Sequence, residues 1–134
     1  MLTKKKQLMH SNTKIVIENH YLGAIMSHNQ FDTFYHEHPR TYSFRSFEKI
    51  AELLNLKIEH AEFPKRYGGN IRVILGDGDT AQHIENKLDE DNFFHQFKSM
   101  AKFIEQWKVA KKYEIEIAVK KHGLLTAKAF PGRA

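Results

Sequence analysis

Tyr35-His36-Glu37-His38, followed by Arg40, concentrates four groups that can donate, accept or transfer a proton within one short segment. Imidazole titrates near neutral pH and a neighbouring carboxylate can orient it, so the segment carries the groups that general-base chemistry needs. On a regular strand His36 and His38 would share one face, with Tyr35 and Glu37 on the other. Tyr35, Glu37 and His38 reach one pocket only if the chain turns near Glu37. Pro39 permits that turn, because it biases His38 away from helix. An exposed strand end whose histidines have no chemical role fits the same residues.

Two further chemistries compete. His36 and His38, two apart and beside a carboxylate, could ligate a metal ion. No spaced third ligand accompanies them, the His-Glu-x-x-His pattern is absent, and the chain has no cysteine. The second candidate segment runs from Arg66 through Tyr67, Gly68, Gly69 and Asn70 to Arg72. Paired glycines let backbone approach a ligand closely, and the two arginines could meet phosphate. A plain hairpin turn explains Gly68-Gly69 equally well.

The elements that must position these residues alternate in type. Ile15-Val16-Ile17 reads as a buried strand, Tyr21 to Met26 as a short helix that Asn19 could cap, and Phe31 to Tyr35 as a second strand. Ser43 and Ser46 offer helix-start chemistry before the stripe of Phe44, Phe47, Ile50, Ala51 and Leu54. Lys57 to Phe63 and Asn70 to Leu75 read as paired strands around Pro64 and Gly68-Gly69, with a turn at Gly76 to Asp79. A helical pattern covers Thr80 to His122 with a break near 89–92, and Gly123 stops it. Phe93, Phe97, Met100, Ile104 and Trp107 along it read as core. Leu124 to Phe130 reads as a last strand. The expected class is α/β: a Rossmann-like fragment with strand, helix and strand, then helix, paired strands, long helix and strand.

Composition narrows the class of partner. The 134 residues hold 21 Lys and Arg against 16 Asp and Glu, a formal charge of +5, and nine His. Positive surface draws anions in general, but the lysines are dispersed without interleaved aromatics, so we expect no nucleic-acid partner. Apolar runs are far shorter than the roughly 20 residues of a spanning helix, and Met1 to Lys6 is followed by no signal-peptide core. We therefore expect a soluble, cytoplasmic chain with no membrane partner. Both end strands look cut, as in a fragment of a longer enzyme, and an unprotected Ile15-Val16-Ile17 strand would favour self-association.

Three segments, in order, resemble a known family. Phe31-Asp32-Thr33-Phe34-Tyr35-His36-Glu37-His38, Tyr67-Gly68-Gly69-Asn70-Ile71-Arg72-Val73 and Ala129-Phe130-Pro131-Gly132-Arg133-Ala134 are similar to the S-adenosylmethionine-dependent sugar C-methyltransferases. These enzymes methylate carbon 3 of deoxy-keto sugars carried on a nucleoside diphosphate. The resemblance runs from about Ile15 to the end. It implies a three-part enzyme with an N-terminal zinc module, a Rossmann-like cofactor domain and a C-terminal α/β domain that helps hold the nucleotide sugar. Residues 1–42 would then be the end of the cofactor domain and 43–134 part of the C-terminal domain. The resemblance further implies that His38 is the base, that Tyr35 and Glu37 orient it or bind the sugar, and that Tyr35 or His36 donates to the enolate oxygen. Arg66, Gly68, Gly69, Asn70, Arg72 and Arg133 would contact the nucleoside-diphosphate sugar. The family's Gly-x-Gly cofactor loop and zinc cysteines are absent, so S-adenosylmethionine and zinc would belong to the full-length enzyme. Thr41 stands where the family often has a tyrosine, with Tyr42 beside it, and the family's small-residue loop after the last strand is replaced by Phe130 to Ala134. A noncatalytic module that binds a nucleotide sugar, and a His-ligated metal protein, are the alternatives.

Overall fold

The computed structural model describes residues 10, 12–36, 38–81, 84 and 89–126. By contacts the chain divides into two units, Met1–Met100 and Ala101–Ala134. The first contains a mixed α/β arrangement, the class that the order of elements predicts. Its strands are β1 (Ile15–His20), β2 (Lys57–Glu62) and β3 (Asn70–Gly76), and its helices are α1 (Leu22–Ser27), α2 (Phe44–Leu53) and the start of α3 (Phe93–His122).

The sheet order is β1-β3-β2, and both pairings are antiparallel. β1 and β2 therefore run parallel to one another with β3 inserted between them, the arrangement of a split β-α-β unit. The register opposes Glu18 to Arg72 and His20 to Asn70 on one side, and Glu62 to Arg72 on the other. Residues on both sides of the expected boundary at 42/43 thus share one sheet and one core.

Alternation along β3 sets the two faces. Ile71, Val73 and Leu75 are fully buried, while Arg72 and Ile74 between them are half-buried. The apolar side packs with Phe44, Phe47, Ala51 and Leu54 of the α2 region, and with Ile58 and Ala61 of β2. Helix α2 forms where the stripe predicts it. Ser43 accepts from the Ser46 N–H at 3.1 Å while Ser46 Oγ accepts from the Ser43 N–H at 3.1 Å, a reciprocal cap. Two more of its first-turn N–H groups are satisfied from far away in sequence. Glu90 accepts from Phe44 N–H at 2.6 Å and Arg45 N–H at 3.0 Å, and from Tyr21 Oη at 2.9 Å. A buried carboxylate is stable there because three donors and the positive end of the helix surround it.

Several local expectations are corrected. Phe31 to Tyr35 is not a strand: Phe31–Thr33 is a single 3-10 turn, closed by Thr33 N–H to Gln30 O at 3.1 Å and Phe34 N–H to Phe31 O at 3.3 Å. The segment leaves α1 through Asn29 in the left-handed region (φ 51°) and meets no partner strand among the described residues. Asn19 does not cap α1, because it lies in β1 opposite Ile71, and the cap position is Tyr21. The first strand is half-buried rather than buried, with Val16 61% exposed, because it lies at the sheet's edge. Thr80 and Ala81 are not helical; Ala81 N–H donates to Ile58 O at 2.8 Å, so the chain here follows β2. In the long helix Met100 is buried and Phe93 packs on the core, whereas Phe97 is 52% exposed.

In the second unit, α3 continues to His122 and stops at Gly123 (φ 77°), whose N–H donates to Val119 O at 2.8 Å, as the glycine predicts. Leu124 to Thr126 are not strand, and the rest of the expected last strand lies outside the described residues.

Candidate functional site

The turn that the Pro39 argument requires is present. His38 N–H donates to Tyr35 O at 2.9 Å, closing a four-residue turn over 35–38. Folding the segment back brings Tyr35 and His38, which would face opposite ways on a strand, onto one another. Their rings lie 4.5 Å apart between centroids at 44°, and Tyr35 Oη is 3.4 Å from His38 Nε2. His36 meets only the edge of Tyr35, at 5.9 Å, and is exposed. Glu37 lies outside the described residues, as does Arg133.

His38 is one wall of a cavity of about 330 Å³. Glu18 and His20 of β1 form another wall, and Arg66, Tyr67 and Asn70 a third, with Arg40 and Thr41 beside His38. Two of the segments singled out in the sequence therefore converge, although about thirty residues separate them. Gly68 and Gly69 line an adjoining cleft of about 710 Å³ together with Tyr21, Gln30 and Phe63, and Asn70 borders both spaces. Their backbone freedom has a structural use. Gly69 (φ 121°) passes so close to α1 that a Cβ there would overlap the Ala24 methyl group, and Tyr67 holds a left-handed φ of 52° in the same turn.

His20 is the site residue that sequence reasoning missed. Its ring centroid lies 5.2 Å from that of His38. No local pattern marks it; the β1–β3 register brings it opposite Asn70 and beside the cavity. Burial, and then the electrostatic influence of the neighbouring His38, hold its imidazole below the usual histidine range. Among the described residues, three polar atoms of these walls are buried without a hydrogen-bond partner: Nδ1 of His20, Nδ1 of His38 and Oδ1 of Asn70. Buried polar atoms of native proteins are nearly always paired with protein or ordered water, so these three are points where water or a ligand can bind.

The arginines divide. Arg72 sits in a row across the sheet, with Nε donating to Glu18 at 2.8 Å and NH1 to Glu62 at 2.5 Å. Its guanidinium is held between two carboxylates of the flanking strands. Arg66 is 3.2 Å from Glu18 and lies over the Tyr67 ring at 4.9 Å; it is more than half exposed. Hydrogen bonds from Asn70 and then Arg72 keep the Glu18 carboxyl below the usual carboxylate range, so the cavity carries a fixed anion beside Arg66 and Arg40.

The Gly76 to Gly78 turn leaves β3 against Glu59, which accepts the Gly78 N–H at 2.5 Å, so that amide is not open to a phosphate or carboxylate ligand. Among the described residues, no three His, Cys, Asp or Glu side chains come together as metal ligands. Among them also, no helix is long and apolar enough to cross a membrane. Compared with known protein families and with curated proteins, the chain matches none.

Proposed function

We propose that this chain is the sugar-handling part of a C-methyltransferase acting on a nucleoside-diphosphate-linked keto-deoxy sugar, with His38 as the base that removes a proton beside the ketone. The observation that carries the reading is the convergence of His38 and the Arg66–Asn70 turn on one cavity. A ketone acidifies the adjacent carbon, and an imidazole within reach of that C–H can take its proton while the electron pair moves onto the carbonyl oxygen as an enolate. Tyr35, 3.4 Å from His38 Nε2, orients the base or donates to the enolate oxygen. The cavity, about 330 Å³, suits a single sugar ring, and Arg40 and Arg66 line it as cations for a diphosphate.

Among the described residues the Gly78 N–H is held by Glu59, so the Gly76–Gly78 turn offers S-adenosylmethionine no free amide there. The chain's own share of the reaction therefore ends at the enolate. That share is measurable alone: the chain, incubated in deuterium oxide with a nucleoside-diphosphate keto-deoxy sugar, should catalyse deuterium entry at the carbon next to the ketone, read by proton NMR. His38→Asn should slow this by about a hundredfold or more. Absence of exchange by the unaltered chain, or equal exchange by His38→Asn, would overturn the reading.

A further inference from the structure

His38 is held from two sides. Tyr35 covers one side of its ring at 4.5 Å between centroids, and His20 approaches from β1 at 5.2 Å with the planes inclined by 43°. Tyr35 belongs to the same turn as His38, whereas His20 is the last residue of a strand paired with β3. Of the two contacts, only the one from His20 ties the imidazole to the sheet. The described residues of 34–41 lie in no helix or strand, and a base carried on such a segment needs a rigid neighbour to keep its direction.

We infer that His20 is a positioning residue: its ring, anchored at the end of β1, fixes the orientation of the His38 imidazole toward the cavity. The role belongs to the ring as a flat, close-packed surface, so a phenylalanine should replace it and an alanine should not. No other aromatic ring on the sheet contacts His38 among the described residues. For catalysis the inference rests on the reading of His38 as the base; as a statement about the orientation of a side chain it does not.

The test compares His20→Phe and His20→Ala in the full 134-residue chain, with circular dichroism and thermal unfolding to confirm that each folds. Ring-proton NMR reads the geometry: nuclear Overhauser contacts between Tyr35 and His38 should persist in the original chain and in His20→Phe, and weaken at least severalfold in His20→Ala. If His20→Ala keeps those contacts at full strength, the inference is overturned. Deuterium exchange into the keto sugar is the second arm. It should fall about tenfold in His20→Ala and stay within about threefold in His20→Phe. Equal exchange in all three chains would also overturn the positioning role. No exchange in any chain would overturn the base assignment and leave the NMR contacts to decide the role of His20. Should His20→Ala fail to fold, loss of the Tyr35–His38 contacts in His20→Leu, which keeps bulk without a flat ring, decides the question in the same way.

Discussion

Arg72 Nε donates to Glu18 Oε2 at 2.8 Å across the β3–β1 pairing, with the two residues directly opposed in register. Glu62 opposes the same arginine from β2, so one guanidinium on the central strand neutralises a carboxylate on each neighbour. Cross-strand pairs of opposite charge are a unit of sheet stability, and removing the shared cation leaves Glu62 without its ion pair and Glu18 with Arg66 alone. Arg72→Ala should lower the thermal midpoint more than Lys49→Ala, whose ion pair with Glu52 lies on an exposed helix face. It should leave binding of inorganic diphosphate unchanged, measurable by calorimetry, while Arg66→Ala weakens any such binding.

His20 imposes a pH dependence. Burial and the neighbouring His38 lower its folded-state value below the ordinary 6.5, so the unfolded chain binds more protons in the interval between the two. Stability from this group is fully present above about pH 6.5 and is lost as pH falls toward the lowered value. Urea unfolding at pH 7.5 and pH 5 should show a smaller acid loss in His20→Phe than in the original chain. An equal loss in both would contradict the prediction.

Glu90 ties three elements together through Tyr21, Phe44 and Arg45. Glu90→Ala removes the acceptor and leaves two first-turn amides of α2 and a buried phenol to find other partners. The expected cost is about 3 kcal/mol in chemical unfolding. Ser43→Ala, which removes only the local cap, should cost about 1 kcal/mol. A larger loss for Ser43→Ala than for Glu90→Ala would show that the distant carboxylate is not the main cap.

Gly69 combines a left-handed φ of 121° with close contact to Ala24. Gly69→Ala should destabilise the chain by about 2 kcal/mol. Ala24→Gly in the same chain should recover part of that loss by removing the overlap. Recovery will be incomplete, because the backbone conformation remains unfavourable for any L side chain.

Much of the secondary structure is legible without the tertiary structure. The 3.6-residue stripe of Phe44, Phe47, Ile50, Ala51 and Leu54, with serines at its start, marks α2 because helix periodicity and capping are local properties. β2 and β3 follow from strand-like segments on either side of Pro64 and Gly68-Gly69, and Gly123 ends α3 where expected. Phe31 to Tyr35 misled for a reason of the same kind. Aromatic residues favour strands only where a neighbouring strand exists to pair with, and here none lies beside them among the described residues.

Residue types alone set out the chemistry on offer: a phenol and imidazoles at 35–38, a proline permitting a turn, and a glycine pair with a flanking arginine. Which of them meet depends on long-range packing. Strand order and register are long-range choices, made by whichever pairing buries Ile71, Val73 and Leu75 together, and no local pattern encodes them. That one choice sets Arg72 between Glu18 and Glu62. It also carries His20, unremarkable in sequence, to the face of His38.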